Sequence, residues 1–430
     1  MKWINQIKSN KFSRSVLLIA GGTAFAQIFH IAMSPIITRI YSPEEYGILT
    51  AYLTIVSILS LGAFKYEVCI PISENDETAI NVLALSIGLI GIYTFVISIF
   101  LWNLGEWLLN FFDSKILMGY MFFIPIGIAL SGLYKVLRQW ALRSGNFNTI
   151  ARTSVNQSIF GDLFKIILGV IKMGATGLII GGIIRESAGI TVLAKPLLSK
   201  NKELIKKVSL AQICWSAKRY KDFPLFNLPT HFISTLSGKL PIIFLTMIYG
   251  IHIVGFYGLA ESIVRLPMKL IGNSVGDVFY SEAASFGRNQ PIKLKNLSNK
   301  IIKKLCLIGL IPLLIFLTIG PTLFGIVFGS KWLEAGIYAR ITSVMVFFIL
   351  IFAPVSRVYE VFEKQRMRLI IDISKFSAVI LVFGLSWIFK FSSYVAVILY
   401  SIVISMIHFF IYIFAQRIMN EAIKGSTPDL

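Results

Sequence analysis

The sequence has 430 residues, of which 56% are hydrophobic, and its mean hydropathy is +0.77. A soluble protein of this length could not bury so much apolar surface, so the composition indicates an integral membrane protein. The formal net charge is +20 and there are three cysteines, an odd number that does not suggest a disulfide framework.

About twelve apolar segments approach or exceed the length that a helix needs to cross a bilayer, roughly 18–20 residues. Because backbone groups must be satisfied within the hydrocarbon, each segment should be helical. We therefore predict an all-α integral membrane protein with about twelve transmembrane helices. In chain order the predicted spans are 15–37, 46–63, 79–101, 116–134, 153–171, 174–194, 224–249, 253–279, 301–320, 335–356, 369–389 and 394–416.

A segment near the N-terminus has a counterpart about half a chain later. Pro35–Ile37 and Pro241–Ile243 are each followed by an Ile-Tyr pair and then by a Tyr-Gly pair that opens a new apolar segment. An internal duplication of this size is typical of transporters built from two related halves around a central site. We predict an N-terminal six-helix bundle over 1–194, a cytoplasmic basic linker over 195–223 and a C-terminal six-helix bundle over 224–430.

The basic residues follow the positive-inside rule. With a cytoplasmic N-terminus, about 29 of the 41 Lys and Arg residues fall on the inner side and roughly six on the outer side. Both termini are thus expected in the cytoplasm, and the positive charge is explained by topology and by lipid headgroups, so no nucleic acid partner is expected. The linker is the longest inner connection and is predicted to form a basic surface helix at the membrane face.

Signatures of enzymes and of cofactor sites are absent from the sequence. There is no phosphate-binding loop, no paired-Asp sugar-nucleotide motif and no H-E-x-x-H metal helix. The histidines are scattered singly and are expected to be packed or interfacial side chains: His30, His231, His252 and His408. We predict a carrier and not an enzyme, with no metal and no cofactor.

Charged side chains inside the predicted spans need a physical reason, because a Lys or Arg at a helix centre costs about 2.5–3.5 kcal/mol on insertion scales. Asp162 and Lys165 lie three residues apart in the fifth span and are expected to neutralise each other. Arg185 and Glu186 are adjacent in the sixth span and cannot face the same way. Each of the two side chains can either line a cavity or pair with a residue on another helix.

The seventh and eighth spans carry an excess of positive charge. Lys239 has no carboxylate nearby in its own helix, and Glu261, Arg265 and Lys269 are spaced four apart along one helix face. One carboxylate can neutralise only one of these cations, which favours an anionic ligand in a central cavity.

Two further cations lie at the ends of predicted spans. Arg39, beside Glu44 and Glu45, is expected to be an interfacial ion pair whose charged end reaches toward water. Lys65, close to Glu67 at the inner end of the second span, is compatible both with a positive-inside anchor and with a ligand-binding role.

Six short motifs occur in the loops and helix ends, in order along nearly the whole chain. They are Tyr41–Gly47, Phe64–Glu67 followed by Ile70–Pro71, Trp140–Arg143, Arg219–Pro224, Gly255–Ala260 and Trp332–Gly336. No single motif is decisive, but the series resembles the bacterial polysaccharide-flippase (Wzx-type) family.

The resemblance implies the fold of the multidrug/oligosaccharidyl-lipid/polysaccharide exporter superfamily, with two six-helix bundles facing each other across a cationic central cavity. It implies an undecaprenyl-diphosphate-linked oligosaccharide of the O-antigen (lipopolysaccharide) or capsule type as substrate, moved from the inner to the outer leaflet of the cell inner membrane. A polymerase and a chain-length regulator of the same pathway would be partners. Arg265 lies where related flippases carry a diphosphate-binding residue. Lys65 replaces the usual Arg before Tyr-Glu, which keeps the charge but loses the bidentate fork.

We therefore predict a lipid-linked oligosaccharide flippase that works by alternating access. The predicted diphosphate ligands are Arg265, Lys239, Lys269, Arg185 and Lys65, with Arg39, Glu261, Asp162 and Lys165 in secondary positions. One alternative is a multidrug or cation exporter of the same fold, which should have an acidic cavity. Another is a polysaccharide polymerase or ligase, which needs a large external loop that this sequence lacks.

Overall fold

The computed structural model describes residues 11–111, 115–286 and 290–426, and these residues form helices and turns without strands. They fall into two compact units, Met1–Ile251 and His252–Leu430. The two ends of the chain, for which a cytoplasmic location is predicted, lie outside the described residues.

The first unit contains ten α-helices within the described part of the chain. They are α1 (Lys11–Ile40), α2 (Pro43–Leu59), α3 (Asp76–Phe111), α4 (Phe123–Arg143), α5 (Phe147–Val170), α6 (Ala175–Ser187), α7 (Ile190–Lys200), α8 (Lys202–Lys206), α9 (Leu210–Arg219) and α10 (Leu228–Tyr249). Short 3-10 turns occur at Tyr66–Cys69 and Lys115–Tyr120, and a π-helical turn at Phe223–Asn227. Helix α1 packs on α5, α5 on α6, α3 on α4, and α10 on α2.

The second unit contains seven α-helices among its described residues. They are α11 (Ile251–Val264), α12 (Asn273–Phe286), α13 (Pro291–Phe328), α14 (Leu333–Phe352), α15 (Val358–Val361), α16 (Gln365–Ile388) and α17 (Ser393–Ser426). A π-helical turn, Met268–Gly272, separates α11 from α12, and 3-10 turns occur at Ser330–Trp332 and Pro354–Arg357. Helix α14 is central, since it packs on both α13 and α17, and α16 packs on α17.

Local sequence signals explain several helix boundaries. Helix α2 begins with a capping box, in which Ser42 Oγ accepts from the Glu45 backbone and the Glu45 carboxylate accepts from Ser42 N. Pro43 occupies the first turn, where its missing N–H costs nothing. Helix α10 ends at Gly250 and α13 at Gly329, with φ of 83° and 107°, values that favour glycine.

Eight helical stretches of the described residues are long and apolar enough to cross a membrane. They are Leu18–Ile40, Asp76–Trp107, Ala175–Ser199, Phe223–Tyr249, Pro291–Phe328, Ser330–Val361, Arg366–Ile388 and Ser393–Lys424. Large apolar side chains such as Phe95, Ile311 and Leu381 are exposed on these helices, as expected of surfaces that face lipid. The all-α, multi-pass membrane class is therefore confirmed.

The other four predicted spans coincide with helices whose apolar stretches are shorter or are interrupted by polar residues. Helix α2 has 17 residues, α4 has a basic C-terminal end, and α5 contains Asp162 and Lys165. The predicted single helix over 253–279 is divided into α11 and α12, because Pro267 has no N–H to continue the hydrogen-bonding pattern. The total of twelve spans therefore stays a prediction.

Candidate functional site

Three polar side chains, one from each of three helices of the first unit, converge around one buried carboxylate. Asp162 on α5 is fully buried, and its oxygens lie 2.9 and 3.0 Å from His30 Nδ1 on α1. Arg185 Nη1 on α6 is 3.3 Å from Asp162 Oδ1, and Lys165 Nζ is 3.5 Å from the same atom. We call His30, Asp162, Lys165 and Arg185 the first-unit cluster.

Glycine allows the helices of this cluster to approach closely. A Cβ on Gly161 would lie 2.5 Å from Arg185 Cβ, and one on Gly181 would collide with the Lys165 side chain. Such small residues are the usual means by which membrane helices bring their backbones together. The Tyr41 hydroxyl further donates a 2.7 Å hydrogen bond to the Lys165 carbonyl oxygen, which joins α5 to the end of α1.

The cluster contains more positive than negative charge. Asp162 is the carboxylate shared by Lys165 and Arg185, while Glu186, the neighbour of Arg185, is exposed. The predicted Asp162–Lys165 pair is thus present in the structure, and Arg185 joins it from another helix. The side chains of Arg185 and His30 are 22% and 21% exposed, so the cluster is partly accessible to solvent or a ligand.

His30 has a position that its sequence context did not indicate. Its Nδ1 lies 2.6 Å from Arg185 Nη1 and within 3.0 Å of both Asp162 oxygens. An imidazole nitrogen can donate to the carboxylate or accept from the guanidinium, but it cannot do both at once. The proton on His30 Nδ1 therefore has two possible arrangements, one that donates to Asp162 and one that leaves the nitrogen to accept from Arg185.

Lys65 lies in a turn with an unusual backbone. Phe64 and Lys65 have φ of 49° and 66°, the left-handed region that bulky residues rarely adopt and that is enriched at functional sites. Lys65 Nζ is 3.9 Å from Glu67 Oε1, a long ion pair. Burial lowers the pKa of Lys65, Glu67 opposes this effect and Lys135 adds to it. Lys65 is thus a partly buried cation near another cation.

Lys239 is half-buried on α10, which belongs to the first compact unit. No carboxylate of the described residues lies within ion-pair distance of its ammonium group. A lone half-buried cation in an apolar helix favours an anionic partner.

In the second unit, Arg265 and Glu261 form an ion pair on successive turns. Arg265 Nε lies 2.8 Å from Glu261 Oε1, and the two side chains are 27% and 17% exposed. Backbone hydrogen bonds continue from Arg265 N to Glu261 O and from Lys269 N to Arg265 O, although regular α11 ends at Val264. Lys269 is exposed in the π-helical turn that follows.

Arg39 lies in the last turn of α1 and is exposed. The Glu45 carboxylate nearby accepts from the Ser42 backbone at 2.7 Å and so caps α2. One of the two carboxylates expected to pair with Arg39 therefore has a structural function in the helix cap.

Solved structures define the class to which this fold belongs. An inward-facing multidrug resistance MATE family transporter of the MOP superfamily aligns with a TM-score of 0.69 at 17% identity, over 94% of this chain and 96% of that chain. Lipid II flippase MurJ in an inward closed conformation aligns with a TM-score of 0.70 at 15% identity, over 96% and 94% of the two chains. A MOP superfamily transporter from Pyrococcus furiosus, described as having a binding pocket of reverse polarity, aligns at 0.61 and 14%, over 95% and 96%. The fold is that of the MOP superfamily of membrane transporters.

Residues 36–337 match a family described as polysaccharide biosynthesis protein. This match spans most of the sequence, and the chain belongs to that family. No curated protein matches the sequence. The predicted membership in a polysaccharide biosynthesis family is confirmed by this match, and the predicted fold is confirmed by the likeness to MOP superfamily structures.

Proposed function

We propose that this protein is a flippase that moves an undecaprenyl-diphosphate-linked oligosaccharide from the inner to the outer leaflet of the cytoplasmic membrane by alternating access. The observation that carries the proposal is the surplus of cations over carboxylates among the charged groups of the helical core. Asp162 serves two cations, and Lys239 has no carboxylate within reach among the described residues. Membership in a polysaccharide biosynthesis family and the likeness to a lipid II flippase agree with it.

The proposed ligands differ in how available their charges are. Lys239 needs no existing ion pair to be broken before it binds a phosphate. Arg265 shares its guanidinium with Glu261 through Nε, so its Nη atoms can still donate to an anion in a bidentate manner. Lys269 is one turn further along and exposed. Arg185 and Lys65 would contribute from the first unit, with Arg39 in a secondary position.

The driving force follows from charge and membrane potential. An inside-negative potential contributes about 2.3 kcal/mol per charge per 100 mV toward expelling an anion. The same field would draw an emptied cationic site back inward, so the cycle can run without ATP. Outward flipping in sealed vesicles should therefore accelerate with potential, and indifference to potential would contradict this mechanism.

A drug or cation exporter of the same fold is the main competing function. It would require a carboxylate available to a cationic ligand. Asp162, the fully buried acid of the first-unit cluster, is surrounded by Lys165, Arg185 and His30, and Glu261 contacts Arg265. This arrangement favours an anionic ligand.

The test is complementation of a strain that lacks its flippase, with Arg265→Ala and Lys239→Ala compared at matched membrane levels of the protein. We expect loss of surface polysaccharide together with accumulation of lipid-linked units inside. Arg417→Ala, which removes an exposed pair with Glu421, and Lys303→Ala serve as charge-matched controls. Full activity of both test variants would mean that these cations are structural.

Such a flippase is expected to lie in the inner membrane with both termini in the cytoplasm. Its product would be an O-antigen (lipopolysaccharide) or a capsule, and its partners would be a polymerase and a chain-length regulator. A reporter fused between Trp102 and Lys115 should be active on the outer side only.

A further inference from the structure

The segment that precedes α10 is fixed to the first unit along one side. Four contacts hold it: Lys207 Nζ to Glu77 Oε2 at 3.2 Å, Ser209 N to Asn81 Oδ1 at 3.1 Å, Tyr66 Oη to the Ala217 carbonyl at 3.1 Å, and Arg219 Nη2 to Glu74 Oε1 at 3.3 Å. Because these contacts lie at both ends of α9, the helix is held along its whole length.

Both ends of α9 are attached where membrane spans begin. Its N-terminal attachment is to Glu77 and Asn81, in the first turns of the candidate span Asp76–Trp107. Its last residue, Arg219, precedes the candidate span Phe223–Tyr249 by four residues. A ten-residue helix with these attachments must lie at the boundary between the bilayer and water.

The two faces of α9 differ in character. Ser216 and the following Tyr220 are buried against the unit. The opposite face exposes Leu210 by 80% and Trp215 by 46%, and Cys214 is exposed between them. Tryptophan is enriched at the level of lipid headgroups, where one end of the ring is apolar and the other polar.

Cations lie on and beside this exposed face, since Lys218 is one turn after Cys214 and falls between Cys214 and Trp215 around the helix. Lys206 and Lys207 each pair with a carboxylate, Glu203 and Glu77 respectively. Lys202, Lys218 and Lys221 are exposed, and no carboxylate of the described residues is within ion-pair distance of them. Lys218 and Lys221 at the C-terminal end of α9, Lys202 in the preceding helix and the exposed Leu210 and Trp215 together match the charge and amphipathic character of an anionic lipid surface.

We propose that the exposed face of α9 binds anionic phospholipid headgroups at the inner surface of the membrane. Leu210, Cys214 and Trp215 enter the boundary between headgroups and acyl chains, while Lys218, Lys221 and Lys202 contact the phosphates. This interaction anchors α9, which lies within the predicted linker, and makes its position depend on lipid composition. It is independent of which substrate the protein carries.

Cys214 provides the probe for a direct test. An environment-sensitive fluorophore is attached to Cys214 in a Cys69→Ala/Cys306→Ala variant, which is reconstituted in phosphatidylcholine vesicles with or without phosphatidylglycerol. We expect a shift of emission to shorter wavelength and weaker quenching by iodide when phosphatidylglycerol is present. Both effects should weaken in 0.5 M salt, where the Debye length is only a few ångströms. If the double variant does not insert, brief labelling of the unaltered chain still selects Cys214, because Cys69 is buried and Cys306 only partly exposed.

A charge-matched pair of variants separates this proposal from a general effect of charge. Lys218→Gln/Lys221→Gln should remove the difference in emission and quenching between the two lipid compositions. Each lysine is expected to contribute about five-fold to partitioning of the helix into an anionic headgroup layer. Lys293→Gln/Lys300→Gln, which removes two exposed lysines of α13, should preserve it. Equal emission and equal iodide quenching in vesicles with and without phosphatidylglycerol would overturn the proposal. The exposed face of α9 would then be a candidate surface for a protein partner. A lipid effect that survives Lys218→Gln/Lys221→Gln would overturn it as well.

Discussion

The two units hold their charges in different ways. The first-unit cluster is assembled from three helices around the fully buried Asp162, with glycine contacts that position Arg185 and Lys165. The pair in the second unit, Glu261 and Arg265, is made within one helix and stands just before a break in it. An arrangement that depends on tertiary packing is rigid and contributes to stability, whereas a local pair beside an irregular turn can exchange partners. We infer that Asp162 and Lys165 are chiefly a framework that positions the partly exposed Arg185, whereas Glu261 and Arg265 are chiefly a binding element.

The largest effect should come from removing the shared carboxylate of the first-unit cluster. Asp162→Ala leaves Lys165 and Arg185 without their counter-charge, and breaking a buried ion pair in this way costs about 3–5 kcal/mol. The apparent melting temperature of the protein in detergent should fall strongly, and so should the folded yield. Glu261→Ala is the comparison, with a smaller loss, because its ion pair with Arg265 is made within one helix and the Glu261 side chain is 17% exposed. Equal losses would remove the distinction between framework and binding element.

A smaller effect on stability should follow when the close approach of α5 and α6 is prevented. Gly161→Ala introduces a Cβ against Arg185, and such overpacking costs about 1–3 kcal/mol. Gly88→Ala is the matched control, because no atom lies within 4 Å of the added carbon and alanine favours a helix. Thermal unfolding in the same detergent compares the two. If Gly161→Ala were as stable as Gly88→Ala, the contact between Gly161 and Arg185 would not be tight.

Arg265 should affect transport more than stability. Arg265→Ala is expected to reduce flipping at least about ten-fold, since hydrogen bonds to charged groups contribute roughly 1.5–3 kcal/mol. Arg265→Lys should retain part of the activity, because it keeps the charge without the bidentate fork. The melting temperature should change little in both. A transport defect that follows the loss of stability would instead assign Arg265 to the framework.

The smallest effect concerns pH and Lys65. Burial lowers the pKa of this lysine, so its positive charge is lost at lower pH than in an ordinary lysine. The folded protein then binds fewer protons than the unfolded chain, and stability from this group rises with pH while the cation available to a phosphate is lost. Transport should decline on the alkaline side, and Lys65→Arg should move that decline to higher pH. Identical profiles would exclude Lys65 from the site.

Hydropathy was sufficient to predict the all-helical membrane class and the approximate positions of most long helices, whereas contacts between helices distant in the sequence were not predictable. Spacing of three residues identified the Asp162–Lys165 pair, because i and i+3 positions are neighbours on any helix. His30 lies 132 residues from Asp162, and no local pattern links the two. Gly161 and Gly181 were the available signal, since small residues in a membrane helix mark where a neighbour approaches.

The break after α11 shows a second limit. Glu261, Arg265 and Lys269 were predicted on one uninterrupted helix, because the segment is apolar throughout. Pro267 was visible in the sequence, but proline is tolerated in many membrane helices, and its effect depends on what satisfies the freed backbone groups. In the structure a π-helical turn follows, and α12 begins in a new register.

The length of α13 has a mechanical consequence. Its 38 residues span about 57 Å, nearly twice the thickness of the hydrocarbon core of a bilayer. Pro312 lies within the helix, about 32 Å from its first residue, and proline allows a helix to bend at that point. A change of 10° in this bend would move the first turn by about 5 Å, roughly the pitch of an α-helix. A small change of the bend at Pro312 would therefore produce a large displacement of the first turn of α13.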